Sequence, residues 1–195
     1  MLESPSMSLI LASSSPSRQA LLRRLGLAFE TRPANVDETP RPGEGPAELA
    51  QRLSRAKANA VAALQPNALV IGCDQVAVCE GEISGKPGNA TRAAELLASF
   101  SGKSLEFITG VALLGPGVDE YFVDHTVVQF RRLEPGEIQR YIERDQPYDC
   151  AGAFRLESAA PMLFEAVHNE DPTALLGLPL ILLCAALRRL GYSLP

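Results

Sequence analysis

The stretch Leu9-Ile-Leu-Ala-Ser-Ser-Ser-Pro-Ser-Arg18 decides how the chain is to be read. Residues 8–12 form a short apolar run, which reads as a buried strand. A serine-rich turn follows. Pro16 suits the first helical position, which makes Ser15 the N-cap and Arg18 the third helical residue. Leu21, Leu22 and Leu25 then share one face, and Gly26 stops the helix.

The same punctuation continues along the chain. Residues 31–46 are rich in proline and glycine and read as loop. Pro46 opens a second helix, with Leu49, Leu53, Ala56, Ala60 and Leu64 at helical spacing and Lys57 on the margin of that face. Residues 68–72 read as another buried strand ending at Cys73-Asp74-Gln75. Residues 76–79 continue as strand, and Glu80-Gly81-Glu82 turns the chain. A loop, Ser84-Gly85-Lys86-Pro87, precedes a helix over 91–100. Residues 105–114 and 121–130 read as two long strands joined at Gly115-Pro116-Gly117. Pro135 opens a helix carrying Ile138, Tyr141 and Ile142. Residues 145–160 are irregular, 162–167 suit a last strand, and 179–190 a terminal helix closed by Gly191. Mixed strands and helices with one long hairpin predict an α/β chain around a mixed, twisted central sheet flanked by helices. Residues 1–7 read as an extended start and 8–195 as one domain.

Composition narrows the function. A chain of 195 residues can bury a core without disulfide staples. Its net charge of −5 argues against broad binding of nucleic acid or an anionic membrane. His125 and His168 are too few and too far apart for a histidine-rich metal site. Cys73, Cys79, Cys150 and Cys184 include no C-x-x-C pair, so reduced, mostly buried thiols are expected. No signal-peptide pattern opens the sequence. The most apolar stretch, 174–187, holds Gly177 and Pro179 and is too short to span a bilayer. A cytoplasmic protein is expected.

Several residues carry candidate chemistry. An arginine in the first helical turn opposes the positive end of the helix dipole, a mismatch of a few tenths of ~1 kcal/mol. An anion in front of the turn would reverse the sign, with Ser13, Ser15 and Arg18 converging on a phosphate. From the turn alone, a capped helix with a solvated arginine is the simpler reading. Asp37-Glu38 offers two loop carboxylates, and Mg²⁺ needs one or two of these plus substrate phosphates. Asp74 follows an apolar strand, where α/β proteins place catalytic groups. Lys57 or Lys86 alone reads as a surface charge; both near one anion would make a site. Neither Gly-Lys stretch is a nucleotide P-loop, and no G-x-S-x-G is present.

Together these stretches resemble the Maf family of nucleoside triphosphate pyrophosphatases. The resemblance rests on residues 9–18, Val36-Asp-Glu-Thr39, Ala56-Lys57-Ala58, Gly72-Cys-Asp-Gln75, Gly85-Lys-Pro87, Gly152-Ala-Phe-Arg-Leu-Glu157 and Gly177-Leu-Pro179. Seven motifs in family order cover residues 8–190. The resemblance implies a fold similar to inosine triphosphatases, with two lobes around a cleft. It also implies hydrolysis between the α- and β-phosphates, and a divalent cation, Mg²⁺ or Mn²⁺. By resemblance, Ser13, Ser15, Arg18, Lys57 and Lys86 would hold phosphate oxygens. Glu38 and Asp74 would hold the metal, and Asp74 would be the catalytic base. The expected partner is a small-molecule nucleoside triphosphate, and a homodimer is compatible with the family.

Of two bacterial branches, one acts on 7-methyl-GTP and the other on dTTP and UTP. Gln75 and Glu157 resemble the first, in a housecleaning role toward modified nucleotides. A carboxylate at 157 suits guanine, whose Watson–Crick edge presents two donors. Ser17, the third specificity position, matches neither branch. The alternatives are the dTTP/UTP activity and a nucleotide-binding regulator of septum formation.

Overall fold

The computed structural model describes residues 7–195. The extended start expected for residues 1–7 therefore lies, except for Met7, outside the described residues. The elements run β1 (Leu9–Leu11), α1 (Pro16–Arg23), β2 (Glu30–Thr31), α2 (Pro46–Ala62), β3 (Leu69–Cys79) and β4 (Glu82–Ser84). They continue with α3 (Ala90–Phe100), β5 (Ser104–Gly115), β6 (Val118–Phe130), α4 (Pro135–Asp145), β7 (Phe164–His168) and α5 (Leu180–Arg189). The sheet order is β2-β1-β3-β5-β6-β7, with β4 on β3. β1 pairs in parallel with β2 and β3, whereas β4 and β7 pair antiparallel with β3 and β6. This is the mixed α/β sheet that the sequence predicts.

The chain forms two compact units. Of the described residues, the first comprises 7–74, 109–124 and 171–195, the second 75–108 and 125–170.

In the first unit, strand alternation sorts the core into two layers. Leu9, Leu11, Leu69 and Ile71 face Leu21 and Leu22 of α1 and Leu183 and Leu187 of α5. Ile10, Ala12 and Val70 face Ala58 and Val61 of α2. Strands covered on both sides read as unbroken apolar runs, which is why β1 was legible. The face of α2 differs from expectation. Its buried residues are Leu49, Ala50, Leu53, Ser54, Lys57, Ala58 and Val61. Leu64 is 73% exposed, and Ala60 is exposed. Counting only apolar residues drew the stripe one position off, because the true stripe passes through a serine and a lysine.

The second unit is built on aromatic rings. Phe130 of β6 meets Phe100 of α3, Phe154 and Phe164 at centroid distances of 5.7, 6.0 and 5.1 Å. Phe154 also stacks edge-on against Phe107 and Phe164, at 5.4 and 4.9 Å. Such tilted pairs contribute roughly 0.5–1.5 kcal/mol each beyond their burial. Glu80 and Gly81 both have positive φ and close the β3–β4 hairpin, as a two-residue turn of this kind requires.

Three local expectations change. β2 and β4 are short strands inside segments read as loop. Residues 72–76 do not interrupt β3, so Asp74 lies mid-strand rather than at a strand end. Only Cys73 is fully buried; Cys79, Cys150 and Cys184 are half-buried, and all four are free thiols. Among the described residues no helix is long and apolar enough to cross a membrane.

Candidate active site

Three charged groups meet in the first unit. Lys57 Nζ donates to Asp74 Oδ1 at 2.6 Å and lies 2.6 Å from Glu38 Oε1. Lys57 and Asp74 are 8% and 7% exposed, whereas Glu38 is open to solvent. Lys57 thus sits within the buried face of α2 rather than on its margin. Removing one partner from a buried ion pair costs about 3–5 kcal/mol, because the other charge stays desolvated.

Gly72 explains how α2 reaches the strand. A Cβ there would lie 2.1 Å from Ser54 O, 2.6 Å from Ala58 N and 2.8 Å from Ala58 Cβ. Only a bare backbone admits the helix at that depth. Two residues along β3, Asp74 points to the same side, where Lys57, the neighbour of Ala58, meets it.

The loop carrying Glu38 is tied to α2 by Arg52. Its Nε and Nη2 donate to the Glu44 carboxylate at 2.6 and 2.8 Å. Nη2 also donates to Thr39 O at 3.0 Å, and Nη1 reaches Asp37 O at 3.5 Å. The Arg52 guanidinium, with the Arg41 N–H second, holds the Glu44 carboxyl down at about 2. Asp37 lies below the usual carboxylate range, chiefly because it accepts the Thr39 N–H at 2.9 Å.

The serine turn forms as expected. Ser15 Oγ accepts the Arg18 N–H at 3.4 Å and so caps α1. The buried Ser13 Oγ accepts the Ser15 N–H at 3.1 Å. The Arg18 side chain, however, is not a solvated charge. Its Nε donates to Gly177 O at 2.9 Å and its Nη1 to Cys73 O at 3.0 Å. Backbone carbonyls offset the unfavourable position of this cation, and two of its five N–H groups are thereby committed. The Cys73 thiol donates to the same Gly177 oxygen at 3.0 Å, and burial pushes its pKa up. Gly177 has φ +99°, and a Cβ there would crowd Arg18 Nε at 3.2 Å. Both demands explain a glycine in Gly177-Leu-Pro179. Ser17 is half-buried on α1.

Lys86, Gln75 and Glu157 belong to the second unit. Lys86 is exposed after β4, at a cavity of about 370 Å³ also lined by Ser84, Arg92 and Lys103. Lys103 pairs with Glu80 at 2.7 Å and Arg92 with Glu95 at 2.8 Å. Gln75 is half-buried on β3. Glu157 is exposed on a segment gripped at both ends by α4. Arg155 N donates to Tyr141 Oη at 2.9 Å. Ser158 Oγ and Ala159 N donate to the two Asp145 oxygens at 2.8 and 2.9 Å. Burial pushes the Tyr141 hydroxyl pKa well above its ordinary value.

The structure therefore brings Glu38, Lys57 and Asp74 into one array. Arg18 is bonded to the carbonyl just before Asp74. Among the described residues no group of three or more His, Cys, Asp or Glu side chains is arranged to hold a metal ion. The acidic pair Glu38 and Asp74 shares one ammonium instead. Reading motifs alone missed Arg52, Glu44 and the buried carboxylates of Asp145 and Asp171. Asp171 accepts N–H groups of Thr173 and Ile181, at 2.8 and 2.6 Å, where α5 begins. Asp171 lies nine residues before Leu180, so no local capping pattern marks it.

Residues 8–190 match the family described as Maf-like protein, and the chain belongs to that family. The 7-methyl-GTP pyrophosphatase of Xanthomonas oryzae pv. oryzae (strain MAFF 311018) is 48% identical over 187 residues, covering 96% of this chain and 98% of the relative. The 7-methyl-GTP pyrophosphatase of Pseudomonas aeruginosa is 47% identical over 190 residues, covering 96% and 98%. A third, from Pseudomonas syringae pv. tomato, is 46% identical over 190 residues, covering 96% and 99%. Among solved structures, the Staphylococcus aureus Ham1 protein aligns over 63% of this chain and 71% of its own. It has 15% identity and a TM-score of 0.47.

Proposed function

We propose that this chain is a cytoplasmic nucleoside triphosphate pyrophosphatase that hydrolyses 7-methyl-GTP to 7-methyl-GMP and diphosphate. The carrying observation is the buried Lys57 bonded to Asp74 and Glu38, in a chain similar over nearly its whole length to relatives bearing that activity as their name. Within it, residues 8–195 act as one catalytic domain.

Water attacks the α-phosphorus, the bond to the bridging oxygen breaks, and diphosphate leaves. Asp74 accepts the proton of that water. Lys57 spreads positive charge over the reacting phosphates, where charge neutralisation lowers the barrier most. Arg18, with its uncommitted N–H groups, and the Ser13 and Ser15 hydroxyls bind phosphate oxygens, as does Lys86 of the second unit. Gln75 and Glu157 read the base, and the Glu157 carboxylate accepts from the donors on the guanine edge. Ser17 is the third specificity position.

Glu38 and Asp74 fit a divalent cation. Two carboxylates that already reach one small cationic nitrogen supply the protein share of a Mg²⁺ or Mn²⁺ shell, with substrate phosphates supplying the rest. Bound there, such a cation would contribute Lewis-acid charge neutralisation. Asp74 cannot bind it fully and also act as a strong base, so one of those roles passes through water.

A substrate panel tests this reading. With Mg²⁺ or Mn²⁺, diphosphate release is expected to show the highest kcat/KM for 7-methyl-GTP, ahead of GTP, dTTP and UTP, and to stop with chelator. A panel led by dTTP or UTP would assign the chain to the sister branch. Nucleotide binding without diphosphate release would favour a regulator.

A further inference from the structure

We propose that Arg52 is a positioning residue for the reaction: by locking loop 37–44 onto α2 it sets the Glu38 carboxylate over Lys57 and Asp74. The inference rests on the proposed use of Glu38 and extends it to a residue that touches none of the reacting groups.

Glu38 is exposed and sits in a loop without regular structure. Arg52 ties the main chain on both sides of it. It donates to the carbonyl of Asp37, one residue before Glu38, and to that of Thr39, one residue after. The same guanidinium grips Glu44 by two parallel bonds of 2.6 and 2.8 Å, which closes the far end of the loop. Arg41 N also donates to Glu44, at 3.0 Å, and Gly45 N to Glu48, at 2.9 Å, so carboxylates hold the main chain where the loop enters α2. A planar five-donor fork can serve a carboxylate and flanking carbonyls at once, whereas an ammonium serves them one at a time. Arg52 lies five residues before Lys57 on the same helix, and α2 is seated on Gly72. One rigid helix thus carries both the clamp for Glu38 and the ammonium that Glu38 meets at 2.6 Å.

Positioning partners of this kind typically change activity by about 10–100-fold when removed. The test compares R52M, R52K, E44Q, E38Q and the double variant R52M/E38Q, each checked for native thermal unfolding. R52M is expected to lose roughly 10-fold or more in kcat, with R52K recovering only part. E44Q leaves Arg52 in place and removes one charge from its grip. It is expected to show a smaller loss of the same kind, and it carries the test if R52M fails to fold. The double variant is expected to be no slower than E38Q, because both changes remove one function. Amide exchange across residues 38–44 is expected to rise in R52M in the absence of any nucleotide or metal.

A large E38Q loss alongside wild-type kcat in R52M, or fully additive losses, would overturn the positioning role and leave the proposed function standing. Unchanged amide exchange in R52M would also overturn it. Wild-type turnover in E38Q would overturn both.

Discussion

In the first unit, buried interior is given over to an ammonium between two carboxylates and to an arginine bonded to backbone carbonyls. In the second unit, it is given over to five phenylalanine rings, with the candidate base-reading residues Gln75 half-buried on β3 and Glu157 exposed on the segment after α4. The first arrangement depends on direction and distance. The second depends on volume and ring orientation, and tolerates change better as long as the total is kept. On the proposed roles, the base Asp74 and its partners Lys57 and Glu38 belong to the first unit, and two of the three specificity positions, Gln75 and Glu157, to the second.

The sharpest way to break this contrast is Asp74→Asn. A positioned general base contributes about 10²–10⁴-fold, so diphosphate release should fall by that order for every nucleotide alike while the fold is retained. A folded variant with near-wild-type release would remove the first unit from the chemistry.

A smaller effect should separate the units. Glu157→Gln is expected to lower the 7-methyl-GTP over UTP ratio of kcat/KM by about 10-fold, the scale of one polar contact, and to leave kcat on UTP within a few fold. A uniform loss on all bases would mean that the second unit shares in the chemistry.

The smallest effect concerns acid. The folded Glu44 carboxyl titrates near 2 against an ordinary 4.5, so its stabilising contact is fully present above pH 4.5 and fades as pH falls toward 2. Denaturant midpoints of wild type and E44Q should therefore differ at pH 6, draw together as pH falls below 4.5 and converge only once it passes about 2. A gap of unchanged size between pH 6 and pH 2 would mean that the contact is not electrostatic. The ring cluster of the second unit holds no titrating group and gives no such signal.

What was legible in the sequence was local. Ser15 before Pro16, the apolar run of β1 and the alternating strands of the long hairpin each announce themselves within a few residues. The hydrophobic phase of α2 did not, because its buried stripe includes Ser54 and Lys57, which composition marks as polar. β3 reads as two pieces, 68–72 and 76–79, since a glycine and a charge interrupt its apolar run, whereas it is one strand, Leu69–Cys79. The partners of Arg18 lie 55 and 159 residues away, beyond any local pattern. At the candidate site, the motifs supplied residue types, and the resemblance supplied their roles. That one lysine joins the two carboxylates, and that Arg52 anchors the loop of one of them, follows only from tertiary packing.

Gly72 has a wider consequence. Because Ser54 and Ala58 rest on bare main chain, the height of the helix above the strand is gauged by atoms common to every residue. Drift among the aliphatic neighbours can reshape the interior without lengthening the gap from Lys57 to Asp74. The spacing of the reactive pair is thereby insulated from ordinary variation, at the expense of one position where no side chain of any size is admissible.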